Sequence, residues 1–203
     1  MPKKVFIFDL DETLLCASAA LSRLNAVEKA PSSYDPYHGF FSECYTLQKE
    51  KMTAIMQGIL ANGDKVGFIT ARSISKESIK CFCLSEYSID LSDDFKHYNK
   101  ALDKMPALKE LAESYSVPYS YIVFVDNSLD HIKPAHDAGF NVVYADNNSS
   151  DITNGLSYIG QLEIIVAERA RQREQELSAD STFMFYRPSD NPDIRFPTID
   201  FDC

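Results

Sequence analysis

V-F-I-F-D-L-D-E-T-L-L, residues Val5 to Leu15, is the stretch on which the fold turns. Val5 to Phe8 is an unbroken apolar run, the pattern of a strand buried on both faces of a parallel sheet. Asp9 ends the run, and Asp11 follows two positions later. Successive strand side chains alternate, so both acids project from one side at the strand's carboxyl end. In open α/β sheets that edge is where ligands bind. Two carboxylates there suit a divalent cation, or one attacks an electrophile while the other moves a proton. Asp11 or Thr13 equally suits the N-cap of a following helix.

Outward from this stretch, helical and extended patterns alternate. Ala17, Ala20, Leu21, Leu24 and Val27 recur at helical spacing, and Pro31 ends the run. Residues 31–45, P-S-S-Y-D-P-Y-H-G-F-F-S-E-C-Y, predict a loop that carries Tyr34, Tyr37, His38, Phe40, Phe41 and Tyr45. Leu47, Ile55, Met56, Ile59 and Leu60 mark an amphipathic helix with Asn62-Gly63 as its C-cap. Val66 to Ile69 is a second apolar run, stopping at Thr70. Ile74, Ile79, Phe82 and Cys83 suggest another helix, with Ser73 near its start. Residues 88–105 are irregular and polar around a short strand at Ile89 to Leu91.

Ala107, Leu108, Leu111 and Ala112 outline a helix whose first turn includes Pro106. The third strand, Ile122 to Val125, stops at Asp126. A short helix from about Lys133, with Gly139 at its end, leads to a fourth strand, Asn141 to Tyr144; Asp146 beyond it reads as structural. Ile159 to Leu177 forms a charged amphipathic helix, and residues 178–203 read as an extended tail with three prolines. This alternation implies right-handed crossovers and a doubly wound parallel sheet, a Rossmann-like α/β domain over residues 1–177.

Composition narrows the function. The 203 residues carry a formal net charge of −10, which argues against a nucleic-acid partner, because phosphate backbones need a basic footprint. Small phosphorylated substrates stay compatible, since a bound cation and a few placed basic groups reverse the field locally. The apolar run at the amino terminus is too short for a signal peptide, and no stretch approaches a membrane span. Five cysteines without a C-x-x-C pair read as reduced thiols in a cytoplasmic setting. Cys81 and Cys83 read as packing residues rather than metal ligands.

Three apolar runs thus end in Asp9-x-Asp11, Thr70 and Asp126, and in a parallel sheet those ends share one edge. F-D-L-D-E-T-L resembles the first motif of the haloacid dehalogenase (HAD) superfamily, D-x-D-x-T after a hydrophobic strand. V-G-F-I-T-A-R resembles its second motif, and V-F-V-D-N-S-L-D-H-I its fourth, where acids bind the metal. The resemblance implies a HAD-like core, phosphatase activity and Mg²⁺. Lys96, Lys100, Lys104 and Lys109 are the candidates for the third motif, a lysine. Lys104 stands just ahead of the helix in K-M-P-A-L-K-E-L, where the superfamily tends to place it; Lys100 is the second choice. The fourth motif departs from the common form, with Val125 where a glycine or second acid is frequent and Asn127 where many members have Asp. Asp130, four positions after Asp126, is a recognised spacing for a second acid, so Asp130 and Asn127 compete for the supporting role.

By this resemblance Asp9 is the nucleophile, forming an aspartyl-phosphate, and Asp11 is the proton carrier. Thr70 and Lys104 hold the phosphate oxygens. The metal set is Asp9, Asp11 through its carbonyl, and Asp126 with Asp130. Thr13, Arg72 and Asn127 stand on the substrate side. Two non-enzymatic alternatives are a phosphoacceptor domain of the receiver type and a catalytically dead HAD-like scaffold. The substrate is a phosphorylated small molecule or a phosphoprotein. Neither interval, 16–45 or 71–103, has room for a large cap domain; by the same resemblance residues 16–45 suggest a small flap, and the aromatic rings of residues 31–45 either cover the mouth of the site or pack onto the core and hold the loop down.

Overall fold

The computed structural model describes residues 3–22, 24, 28–37, 43–147 and 157–184. Eight strands lie among them: β1 Val5–Phe8, β2 Leu15–Ala17, β3 Lys29–Pro31, β4 Cys44–Leu47, β5 Lys65–Ile69, β6 His97–Tyr98, β7 Ile122–Asp126 and β8 Asn141–Tyr144. Five α-helices accompany them: α1 Lys49–Ala61, α2 Lys76–Tyr87, α3 Met105–Tyr115, α4 Leu129–Asp137 and α5 Tyr158–Met184. No helix among the described residues is long and apolar enough to cross a membrane.

A parallel sheet in the order β6-β5-β1-β7-β8 forms the centre. Alternation along its strands divides the core in two. Phe6, Phe8, Phe68, Val123 and Val125 face α1, α2 and α5, packing with Met56, Phe82 and Leu162. Val5, Ile7, Ile122 and Phe124 face α3 and α4, packing with Leu108, Leu111 and Ala135. With helices on both faces, the sheet is doubly wound, as its near-continuous apolar runs require. Gly58 lets α5 close on α1, since a Cβ there would come within 2.6 Å of a Val166 methyl carbon. At the amino edge of the sheet, buried Asp64 accepts two hydrogen bonds from Arg169 of α5, at 3.1 and 2.8 Å, and one from the Lys4 backbone N–H at 2.9 Å. Cys83 is buried on α2, and the four described cysteines are free thiols.

Several local expectations give way to tertiary structure. The α-helix expected from Ala17 is not formed by the described residues of that stretch, which hold only a single 3-10 turn at Ser18–Ala20. The chain instead makes one tight turn, with the N–H groups of Thr13, Leu14 and Leu15 all directed at the Leu10 carbonyl, and then enters β2. β2, β4 and β3 pair antiparallel as a small second sheet, which takes Ala17 into its ladder. Pro31 and Tyr45, placed in the loop, are ladder partners in it, and Leu47 ends β4 rather than beginning α1. Ile89 and Leu91 are buried but form no strand: the Ile89 N–H turns back to the Cys83 carbonyl at the end of α2, and the edge strand is β6. Ser75, not Ser73, caps α2, its hydroxyl accepting from the Ser78 N–H. Helix α4 begins at Leu129, ahead of Lys133, and accommodates Pro134 because the missing N–H forgoes only the bond to the carbonyl of exposed Asp130. Helix α5 continues through residues 178–184 of the expected tail; residues 185–203 lie outside the described residues. Its first turns are anchored by Tyr158, Ile159 and Leu162, and good helix formers carry it onward.

Glu86 ties the small sheet to the main body. Its Oε1 accepts from the Ser33 N–H at 2.8 Å, the Ser33 hydroxyl at 2.6 Å and the Tyr34 N–H at 3.1 Å. Its Oε2 accepts from the Thr46 hydroxyl and from Lys49 Nζ, each at 3.0 Å. Burial works to raise this carboxyl, but the bonds from Ser33, Lys49 and Thr46 outweigh it and hold it at about 2. A depressed folded-state value means stability that is present above the ordinary glutamate range and lost as pH falls toward 2. Glu86→Gln is therefore expected to lower stability at pH 7 by on the order of 2–3 kcal/mol. The gap to the wild type should close between pH 4.5 and about 2. Denaturant unfolding across that range checks it, and a gap that stays constant would refute it.

Candidate active site

Strand register brings the first two acids together. Phe8 lies opposite Val125, and the Asp9 N–H continues the ladder to the Val125 carbonyl at 2.9 Å, so Asp9 and Asp126 are the next pair. Asp9 keeps the parity of Val5 and Ile7, and Asp126 that of Ile122 and Phe124, so both point to the face covered by α3. Lys104 stands at the N-cap of α3 on that face. Its Nζ donates to Asp9 Oδ1 and to Asp126 Oδ2, each at 2.6 Å. All three side chains are enclosed, with relative exposures of 6%, 0% and 3% for Asp9, Asp126 and Lys104. Burial is the largest influence on Asp9 and, with Asp126 beside it, lifts its carboxyl to about 7 against the pull of Lys104. Burial would lower the Lys104 ammonium, but the two carboxylates outweigh it and hold it above the ordinary lysine range. Lys96, Lys100 and Lys109 are exposed.

Asp11 heads a second group, on the solvent side. Arg72 Nε donates to its Oδ1 at 2.7 Å, Tyr37 Oη to its Oδ2 at 3.1 Å, and the Thr70 hydroxyl lies 3.5 Å from the same Oδ2. The Arg72 guanidinium sits 5.5 Å from the centre of the Tyr37 ring. Burial, and then the charge of Asp11, push the Tyr37 phenol up, so it stays a donor. Thr70 also accepts from the Arg72 N–H at 3.1 Å, and Thr13 lies 3.5 Å from Asp9 Oδ2. Thr13, Thr70 and Arg72 therefore share one edge with the acids. Asn127 is half-buried in the turn after β7, and Asp130 is exposed on the first turn of α4; neither joins the bonded cluster around Lys104.

Two neighbours carry no role in the sequence. His131 Nδ1 lies 3.2 Å from Asp126 Oδ2, and its Nε2 lies 3.3 Å from the Leu102 carbonyl. The signal was its place in the first turn of a helix beginning three residues after Asp126, where a side chain reaches back toward the strand end. Asn147 is buried and donates to the Glu12 carbonyl, bracing the turn after β1. Of the loop aromatics, Tyr34, Tyr37 and Tyr45 pack against the core, and Tyr37 alone of these is bonded to Asp11. His38, Phe40 and Phe41 lie outside the described residues.

Among the described residues no three carboxylate, imidazole or thiol side chains gather as a metal cluster. Two buried carboxylates facing one ammonium nonetheless offer hard oxygen donors in excess of the single positive charge of Lys104. Mg²⁺ commonly uses one or two carboxylates and keeps water and phosphate in its shell, so these residues fit it.

No protein-family model and no curated protein sequence matches the chain. Solved structures do. One is 3-deoxy-D-manno-octulosonate 8-phosphate phosphatase from Moraxella catarrhalis, in complex with magnesium, phosphate and KDO. It superposes with a TM-score of 0.51 at 18% identity, over 89% of this chain and 93% of that one. The cobalt-bound deoxy-D-mannose-octulosonate 8-phosphate phosphatase from Haemophilus influenzae gives 0.51 at 14% identity, over 85% and 90%. A Legionella pneumophila protein assigned to subfamily III A of the HAD superfamily hydrolases gives 0.50 at 15% identity, over 89% and 91%. The chain has the HAD fold. At these identities the likeness is one of architecture, and on the HAD fold the Asp9, Thr70, Lys104 and Asp126 positions are the carboxyl ends of the strands and the helix start beside them.

Lys104 is also structural. Lys104→Met leaves two buried carboxylates without their shared cation and is expected to cost about 3–5 kcal/mol at pH 8. Adding Asp9→Asn to that variant removes one stranded charge and should recover part of the loss. Urea unfolding of both variants measures this; a loss under about 1 kcal/mol from Lys104→Met would show that the pair is not held as ions.

Proposed function

We propose that the chain is a Mg²⁺-dependent phosphomonoester hydrolase that works through an aspartyl-phosphate on Asp9. The observation that carries this is the single ammonium of Lys104 held 2.6 Å from both Asp9 and Asp126 at the ligand-binding edge of the sheet. A structural ion pair has no need of a second carboxylate, nor of Asp11 standing two residues beyond the first.

Asp9 attacks phosphorus in line, its new O–P bond forming as the ester P–O bond breaks. Asp11 gives its proton to the departing alkoxide, then takes one from the water that attacks the phosphorylated Asp9 and releases phosphate. Burial works against the ionised form of Asp9 that attack requires, and Lys104 offsets this. Thr70 and Lys104 donate to the phosphate oxygens. Asp9, Asp126 and the Asp11 carbonyl would hold Mg²⁺, which supplies charge neutralisation between the attacking carboxylate and the phosphate.

The substrate class we infer is a small phosphate ester. Beside Asp11 and Arg72 lies a pocket of about 250 Å³, completed by Glu12, Cys16, Ala17, Ala19 and Ala20. Its small side chains and modest volume suit a compact leaving group. The small sheet of β2, β3 and β4, within residues 15–47, supports reading this interval as a flap, and Tyr37 reaches Asp11 from the loop after β3.

Release of inorganic phosphate from a panel of sugar phosphates and nucleotides tests the proposal. Asp9→Asn should abolish it, and excess chelator should stop it until Mg²⁺ is restored. Lys104→Ala should lower kcat by about 10²–10³, the scale of losing one preorganised donor, while Lys100→Ala stays near wild type. Undiminished turnover by Asp9→Asn would sink the assignment.

A further inference from the structure

We infer that Tyr37 is a positioning residue for proton transfer: its phenol fixes one oxygen of Asp11 so that the other, Oδ1, carries the proton to the leaving group. The inference rests on the phosphatase reading above. Its basis is the division of partners on one carboxylate. Tyr37 takes Oδ2 at 3.1 Å, with the Thr70 hydroxyl at a longer 3.5 Å from the same oxygen, and Arg72 takes Oδ1 at 2.7 Å.

The two partners differ in how readily they can be exchanged. Arg72 is 37% exposed at its side chain, so its bond to Asp11 is screened by water and can give way to an incoming substrate. Arg72 and Asp11 both line the 250 Å³ pocket, so an Oδ1 released by Arg72 is free for a leaving group held there. Tyr37 has no comparable freedom. Its ring packs against the core beneath the Arg72 guanidinium, and its N–H is turned onto Asp35 Oδ1 at 2.8 Å. The segment before it is pinned at Ser33 and Tyr34 by buried Glu86. An anchored donor on Oδ2 therefore holds the carboxylate plane while Oδ1 exchanges partners. A proton donor fixed in this way is ready before the substrate arrives.

Leaving-group dependence separates this role from simple packing. An unactivated alkyl phosphate needs its alkoxide protonated, whereas 4-nitrophenyl phosphate releases a stable phenolate without help. For Tyr37→Phe we expect kcat/KM, which reports the steps up to phosphoenzyme formation, to fall about 10–100-fold for the alkyl ester, part of the 10²–10⁴ that general acid catalysis contributes. It should fall less than about threefold for the nitrophenyl ester. Equal losses on both esters, or none, overturn the inference while leaving the phosphatase reading intact. Should Tyr37→Phe not fold, Asp35→Ala decides: by loosening the turn that presents Tyr37 it should shift the ratio of the two esters in the same direction, and an unchanged ratio overturns the inference. If the wild type hydrolyses neither ester, the phosphatase reading fails and takes the inference with it.

Discussion

The interaction on which the site depends is one ammonium shared by two enclosed carboxylates. Asp9, Asp126 and Lys104 come from three separate parts of the chain, and none would be tolerated in that interior without the others. Their meeting therefore constrains everything around it. β1 and β7 must be neighbours in one particular register, α3 must start on the face to which both acids point, and its N-cap must be long enough to reach them. A one-residue slip of either strand would turn its acid into the face covered by α1 and α2 and leave the ammonium half paired.

Around that ionic centre the molecule keeps a second, wetter arrangement. Asp11 is partly exposed and is met by three partners from two segments: Tyr37 from the loop after β3, and Thr70 and Arg72 from the residues just beyond β5. The inner group is locked by geometry and low dielectric, while the outer one can trade contacts. That contrast between a fixed and an exchangeable carboxylate, two residues apart in sequence, follows from where β1 ends: Asp9 still belongs to the ladder and Asp11 to the turn that leaves it.

Much of the fold was legible because buried parallel strands write themselves as apolar runs, and the runs at Val5, Val66, Ile122 and Asn141 each became a strand of the main sheet. The order of acids and hydroxyls at those run ends, with the lysine at a helix start, marks one edge of the sheet in the sequence itself. What sequence could not supply were elements made by pairing rather than by local pattern. β2, β3 and β4 are three or four residues each, too short for a periodicity of their own, and of the helical spacing from Ala17 to Leu24 the ladder with β4 took Ala17 while Ser18–Ala20 kept a single 3-10 turn. β6 is two residues long and owes its existence to the open edge of β5. Tyr37 reaches Asp11 across 26 positions of chain, and nothing in its neighbours distinguishes it from Tyr34 or Tyr45, which pack without touching that acid. His131 was visible as a residue but not as a neighbour of Asp126, because α4 was expected to begin beyond it.

The clamp between Asp64 and Arg169 sits at the opposite rim of the sheet from these groups, where β1 and β5 begin. It binds the long final helix to the sheet through a partner that has no access to the chemical edge. The molecule thus has two handles at its two rims. Substitutions around Asp64, Lys4 and Arg169 would register in melting temperature and leave rate constants alone, so thermal robustness can be engineered there as an independent variable.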